Sequence, residues 1–120
     1  IIQVRTAPKG ATVGYGGTHR LSRLSRIATV GVGYADGYQR SLGNKAFVNI
    51  LGHLAPVIGR VSMDSITIDV TDIPPNIMLK AETAALLSDL YSIEDMANDA
   101  GTIPYEILTG ISHRGIRRYI

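Results

Sequence analysis

APVIGRVSMDSITIDV, residues 55–70, holds two strand-like runs around a polar joint, and the fold reading starts there. In Ser65–Val70, Ile66, Ile68 and Val70 alternate with Thr67 and Asp69. Period-two alternation of that kind marks a half-buried β-strand. Ala55–Val61 is mostly apolar, with β-branched Val57, Ile58 and Val61, and reads as a second strand. Outward from this pair the pattern repeats. Phe47–Leu51 is a short strand closed by Gly52-His53, and Arg26–Val32 is another that breaks into Gly33–Gly37. The opening IIQVRTA alternates in part and stops at the turn signal Pro8-Lys9-Gly10. Thr83–Leu87 and Tyr105–Ile111 read as two further strands. One helix is expected near residues 92–100: Ser92 caps it, Asp95 completes a capping box, and Ile93, Met96, Ala97 and Ala100 form one apolar face before Gly101. The whole chain, 1–120, therefore reads as one mainly β domain, a small barrel or sandwich of short strands with a single short helix.

Composition bounds the function classes. Apolar residues make up 45% and charged residues 18% of the 120 positions, which fits a globular domain. There is no cysteine, so disulfides and thiolate metal sites are excluded. No apolar run approaches the ~20 residues of a membrane span. The start lacks both an initiator Met and a leader pattern, and a chain that opens on a strand-like segment is expected to be part of something longer. The net charge of +2 is mild. Arg20, Arg23 and Arg26 cluster, as do Arg114, Arg117 and Arg118. Each cluster is either a solvated basic face or a surface meeting an anion such as phosphate or carboxylate.

Several chemistries find no support. Gly31, Gly33 and Gly37 lack the spacing and following helix of a dinucleotide loop. His19, His53 and His113 are far apart and unpaired with carboxylates, so no metal site is expected. No nucleophile elbow is present. What remains is tyrosines and arginines placed in turns. Tyr15 lies within TVGYGGTH (12–19), Tyr34 in GYADGY (33–38), Arg60 and Met63 in GRVSMD (59–64), and Tyr105 in PYE (104–106). Gly14, Gly16 and Gly17 cost backbone entropy, so they belong where the chain turns sharply or where something must come close to Tyr15.

These motifs, in this order and spacing, resemble the C-terminal domain of alanine racemase over essentially the whole chain. The resemblance implies a mainly β domain that follows an N-terminal (β/α)₈ barrel. It implies pyridoxal phosphate held on a lysine of that barrel, and a head-to-tail homodimer in which this domain completes the partner subunit's site. The implied reaction interconverts L- and D-alanine by two-base proton transfer in the bacterial cytoplasm, supplying D-alanine for peptidoglycan. The domain alone is expected to be inactive and to bind neither nucleic acid nor membrane. Residue by residue, Tyr15 matches the base acting on L-alanine, and Met63 the residue whose main chain meets the substrate carboxylate. Tyr105 matches a tyrosine on the cofactor phosphate. Tyr34, Arg40, Arg60 and Arg117 match residues lining the way into the site. His19, His113 and Gly115 depart from the commonest family forms.

The chemistry agrees with this assignment. Pyridoxal phosphate is the electron sink that makes a Cα proton removable. A phenol of ordinary pKa, about 10, needs nearby positive charge or a relay partner to serve as a base at neutral pH. On this reading the tuning group lies in the barrel, and the glycines keep Tyr15 open to a planar adduct. Two other readings stay open. One is a related racemase acting on serine, lysine or a broad range of amino acids. The other is a basic β module engaging single-stranded nucleic acid through Tyr34, Tyr38 and the arginines.

Overall fold

Alternation in residues 66–70 becomes the central strand of the sheet. The computed structural model describes residues 1–112, with Tyr15 described through its main chain. Five strands, β1 (Gln3–Ala7), β4 (Ser25–Val30), β7 (Ile66–Asp69), β6 (His53–Ile58) and β5 (Phe47–Ile50), pair antiparallel in that spatial order. Two shorter strands, β2 (Thr12–Val13) and β3 (His19–Arg20), make a separate hairpin. Among the described residues no pairing joins β1 to β5, so the sheet is open. Ile68 stands opposite Ala28 on one side and Val57 on the other.

Both faces of this sheet are covered. Ile66, Ile68 and Val70 point into the main core with Val48, Ile50, Ala55, Val57 and Leu42. Ile27 and Ile58, one step out of phase on their strands, point the other way. They pack with Ala7, Val13 and Leu21 beneath the β2–β3 hairpin. Because side chains alternate along a strand, this second cluster fixes which face the hairpin lies on. Arg26 is held within the fold: its guanidinium donates to the carbonyls of Val70, Thr71 and Ile73. Arg23 pairs with Asp72 at 3.1 Å, and Arg20 makes a long contact to the Gly10 carbonyl. The first arginine cluster is therefore spread over separate partners of its own chain and does not converge on one anion.

The expected helix is present as α2 (Ile93–Ala100), following two shorter features. Ser92 Oγ accepts from the Asp95 N–H, Asp95 accepts from the Ser92 N–H, and Gly101 ends the helix in the left-handed region. Two helices were not foreseen. α1 (Pro75–Lys80) starts with Pro75 in the first turn, and its Met78 is buried. α3 (Pro104–Thr109) replaces the strand read at Tyr105–Ile111. Pro104 sits in the first turn, where a missing N–H is harmless, and Ile107 faces the core. Burial of Ile107 on one helical face outweighs the strand preference of the run's β-branched residues. Thr83–Leu87 is not a strand either. Its backbone pairs with the sheet at Ala85, through two hydrogen bonds with Asn49, while Ala84 and Leu86 pack against the main core.

Tyr91, buried beside α2, donates to Asp99 at 2.5 Å. Tyr38 is also buried, and its hydroxyl has no partner among the described residues. Burial first pushes both phenols well above their ordinary value; the Asp99 charge adds to this at Tyr38, and the hydrogen bond to Asp99 does so at Tyr91. A phenol whose pKa is raised in the fold contributes stability below about pH 10 that is lost as pH rises further. Tyr38→Phe is therefore expected to leave stability at pH 7 unchanged or improved, and to flatten the loss above pH 10. Chemical denaturation at pH 7 and between pH 9 and pH 11 checks both parts; an unaltered alkaline slope would contradict them.

Candidate active-site surface

Tyr15 occupies the tip of the β2–β3 hairpin. Thr12 stands opposite Arg20 and Val13 opposite His19, leaving the glycine-rich segment to turn. Tyr15–Gly17 make a tight turn kinked at Gly16 (φ 77°), in which the Gly17 N–H donates to the Gly14 carbonyl at 3.0 Å. Gly14 has φ 83°, and a Cβ added there would lie 2.7 Å from Gly59 Cα and 2.8 Å from Arg60 N. A Cβ on Gly59 would in turn meet the Val13 carbonyl oxygen at 2.7 Å. Two main chains cross here with no side chain between them. The sequence reading gave these glycines to an incoming ligand; instead Gly14 makes room for the chain's own Gly59. Gly16 is backed by Arg60, whose Nη1 would lie 3.3 Å from an added Cβ.

The same crossing begins the GRVSMD segment, which carries Met63 to Tyr34. β6 stops at Ile58 as Gly59 takes a positive φ. Beyond it, Ser62 O accepts from the Tyr34 N–H and Met63 O from the Ala35 N–H, each at 3.0 Å. Tyr34–Asp36 is a 3₁₀ turn whose Asp36 carboxylate accepts from the Gly33 N–H. Gly33 is required by contact: an added Cβ would stand 2.2 Å from the Ser62 carbonyl oxygen. A cleft of about 480 Å³ opens between these segments, lined by Tyr34, Arg40, Val61, Ser62 and Met63. Arg40 comes from its own 3₁₀ turn, Arg40–Leu42, which buried Leu42 anchors in the core.

Three of the expected residues thus share one cleft. Arg60 is not among its walls and lies over the Tyr15 turn. Tyr105 projects from the start of α3 and is 76% exposed, with no hydroxyl partner among the described residues. Its helix is joined to the Tyr34 turn, because the Ser112 N–H donates to the Asp36 carbonyl at 3.2 Å and Gly110 abuts Gly37. Arg117 lies outside the described residues, as do Arg114, Arg118, His113 and Gly115. Tyr38 is buried, so it offers no ring face for a base to stack upon. Val61 and Ser62 were not singled out from sequence, although both belong to the GRVSMD motif that located the cleft.

The family model described as alanine racemase, C-terminal domain, matches residues 1–119. The chain belongs to that family. An alanine racemase of Brucella ovis is 50% identical over 120 residues, covering 100% of this chain and 30% of that protein. A catabolic alanine racemase of Rhizobium johnstonii is 46% identical over 119 residues, covering 99% of this chain and 32% of that protein. The crystal structure of alanine racemase from Bartonella henselae, with covalently bound pyridoxal phosphate, superposes with a TM-score of 0.90. That protein is 38% identical, and the match covers 100% of this chain and 33% of that one. The chain spans about a third of the length of each relative.

The crossing gives a direct test. Gly14→Ala and Gly52→Ala impose similar strain, since φ is 83° and 89°, but nothing lies within 4 Å of the Cβ at Gly52. Gly14→Ala is expected to be the more destabilising by about 1–3 kcal/mol, the usual range for overpacking. Equal midpoints in chemical denaturation would show that Gly14 and Gly59 do not constrain each other.

Proposed function

We propose that this chain is the C-terminal domain of an alanine racemase, acting with an N-terminal barrel of the same polypeptide. On this reading it faces the active site of a partner subunit in a head-to-tail homodimer, in the bacterial cytoplasm. The reaction is interconversion of L- and D-alanine, with D-alanine destined for peptidoglycan. The observation that carries the reading is the convergence of Tyr34, Arg40 and Met63 on one cleft beside the Tyr15 turn, within a chain of this family.

The residues present suit an anionic cofactor and substrate. The cleft and its surroundings offer phenols, guanidinium groups and main-chain atoms, and none of its lining residues is a lysine able to hold an aldehyde covalently. Tyr105, exposed on α3, would give a neutral hydrogen bond to the phosphate of pyridoxal phosphate. When bound, that cofactor stabilises the electron pair left at Cα. The Met63 main chain would orient the substrate carboxylate. Tyr15 would take the Cα proton from L-alanine and return one in the reverse direction. A phenol needs nearby positive charge to act as that base; on this chain the Arg60 guanidinium lies against Gly16, the residue after Tyr15. Tyr34 and Arg40 would screen the cleft mouth and select for a small charged substrate.

The test uses the full-length enzyme. Tyr15→Phe is expected to lower kcat/KM for alanine racemisation by about 10²–10⁴-fold, the range for losing a general base. The loss should be equal in the two directions, because the isomers are of equal energy and their kcat/KM values are tied. Tyr105→Phe should weaken retention of pyridoxal phosphate by roughly tenfold, with a smaller change in kcat. Unchanged kinetics in Tyr15→Phe would remove that residue from proton transfer. Serine or lysine turned over faster than alanine would overturn the substrate assignment.

A further inference from the structure

Asn44 touches two site-bearing segments at once, the main chain of Gly59 and the side chain of Thr18. It follows the Arg40 turn and sits in the left-handed region at φ 62°, a conformation asparagine tolerates better than most residues. Its Oδ1 accepts from the Gly59 N–H at 2.6 Å, at the point where Gly59 crosses Gly14. Its Nδ2 makes a longer contact, 3.4 Å, to Thr18 Oγ1, just past the Tyr15 turn. Gly43, beside it, lies so close that an added Cβ would stand 2.7 Å from the Gly59 carbonyl oxygen. Gly59 is buried, so its N–H would otherwise lack a partner.

We infer that Asn44 is a positioning residue for the racemase reaction: its amide locks the Arg40 turn, the Gly59–Met63 segment and the Tyr15 hairpin into one unit. The inference rests on the proposed function for its catalytic consequence. The clamp itself stands on the hydrogen bonds alone. Losing the clamp leaves the Gly59 side of the crossing without its side-chain anchor, and the hairpin held by Val13 and Leu21 on the second apolar cluster and by the van der Waals contact of Gly14 with Gly59. The tip is then free to shift relative to Arg60 and Met63. A displacement of about an ångström at a proton-transfer residue costs on the order of a hundredfold in rate.

Two substitutions separate the clamp from the backbone conformation. Asn44→Gly keeps the positive φ and removes the acceptor. Asn44→Asp keeps an acceptor for the Gly59 N–H and tolerates the same φ, while its other oxygen accepts from the Thr18 hydroxyl. In the full-length enzyme, amide hydrogen exchange read by mass spectrometry should speed up in the 12–20 and 55–62 segments of Asn44→Gly. Both segments should stay near wild type in Asn44→Asp. Racemisation by Asn44→Gly should fall roughly ten- to hundredfold. Its deuterium isotope effect with L-[2-²H]alanine should rise while that with D-[2-²H]alanine falls, because the Tyr15 step becomes limiting. A residue with only a general structural role would lower the rate with both isotope effects unchanged. Wild-type exchange in Asn44→Gly, unmoved isotope effects, or Asn44→Asp behaving like Asn44→Gly would each overturn the inference. Absence of alanine racemisation in the unmodified full-length protein would instead count against the proposed function, and the exchange result would still decide the clamp.

Discussion

Where Gly14 passes Gly59 the two main chains are in contact, and the space that a single methyl group would need is already filled. Most of what surrounds the cleft is referenced to that crossing. On one side it fixes the hairpin tip bearing Tyr15. On the other it starts the segment that runs through Arg60 to Met63 and receives the Tyr34 turn through two backbone hydrogen bonds. The glycine at 33 repeats the device, letting the Tyr34 turn lie directly on the Ser62 and Met63 carbonyls. A surface assembled from backbone contacts is stiffer than one assembled from long side chains, because few rotamers are left to relax. Such stiffness suits a domain whose proposed task is to hold a phenol against a substrate bound mainly by another subunit.

The division of labour inside the sheet follows from strand alternation. β4 and β6 each send one residue, Ile27 and Ile58, to the face opposite the main core, and these two create the seat for the hairpin. The hairpin has only two residues per strand and little pairing of its own. Its position is therefore a product of Val13 and Leu21 burial together with the crossing at Gly14. Packing sets the height of the hairpin above the sheet, and the crossing sets the direction of its tip.

Much of this was legible in the sequence. The alternation at 66–70, the capping box at Ser92 and Asp95, and the turn glycines each report on local structure, and each appeared where the pattern placed it. Tyr105–Ile111 was misread because a six-residue helix gives too few turns for its period to show, and Ile107, Thr109 and Ile111 bias the run toward strand. Thr83–Leu87 was misread because its single bridge to Asn49 depends on a partner far along the chain. Tyr34 and Met63, each singled out from a turn motif, and Arg40, carried by the resemblance, line one cleft because their turns meet around the same strands. The reason for Gly14 was out of reach, because its partner is Gly59, and no local pattern announces a contact between residues so far apart. Asn44 was invisible for the same reason: its acceptor role exists only once β6 has brought Gly59 beside it.

The central claim is that this domain presents Tyr15 as the proton-transfer group for the L-isomer alone. Incubating the full-length Tyr15→Phe enzyme with each isomer in D₂O, and following the Cα hydrogen by NMR, tests it most directly. The account predicts that D-alanine keeps exchanging its Cα hydrogen without accumulating L-alanine, while exchange from L-alanine falls by about 10²–10⁴-fold. Equal loss of exchange from both isomers, or undiminished exchange from L-alanine, would contradict it.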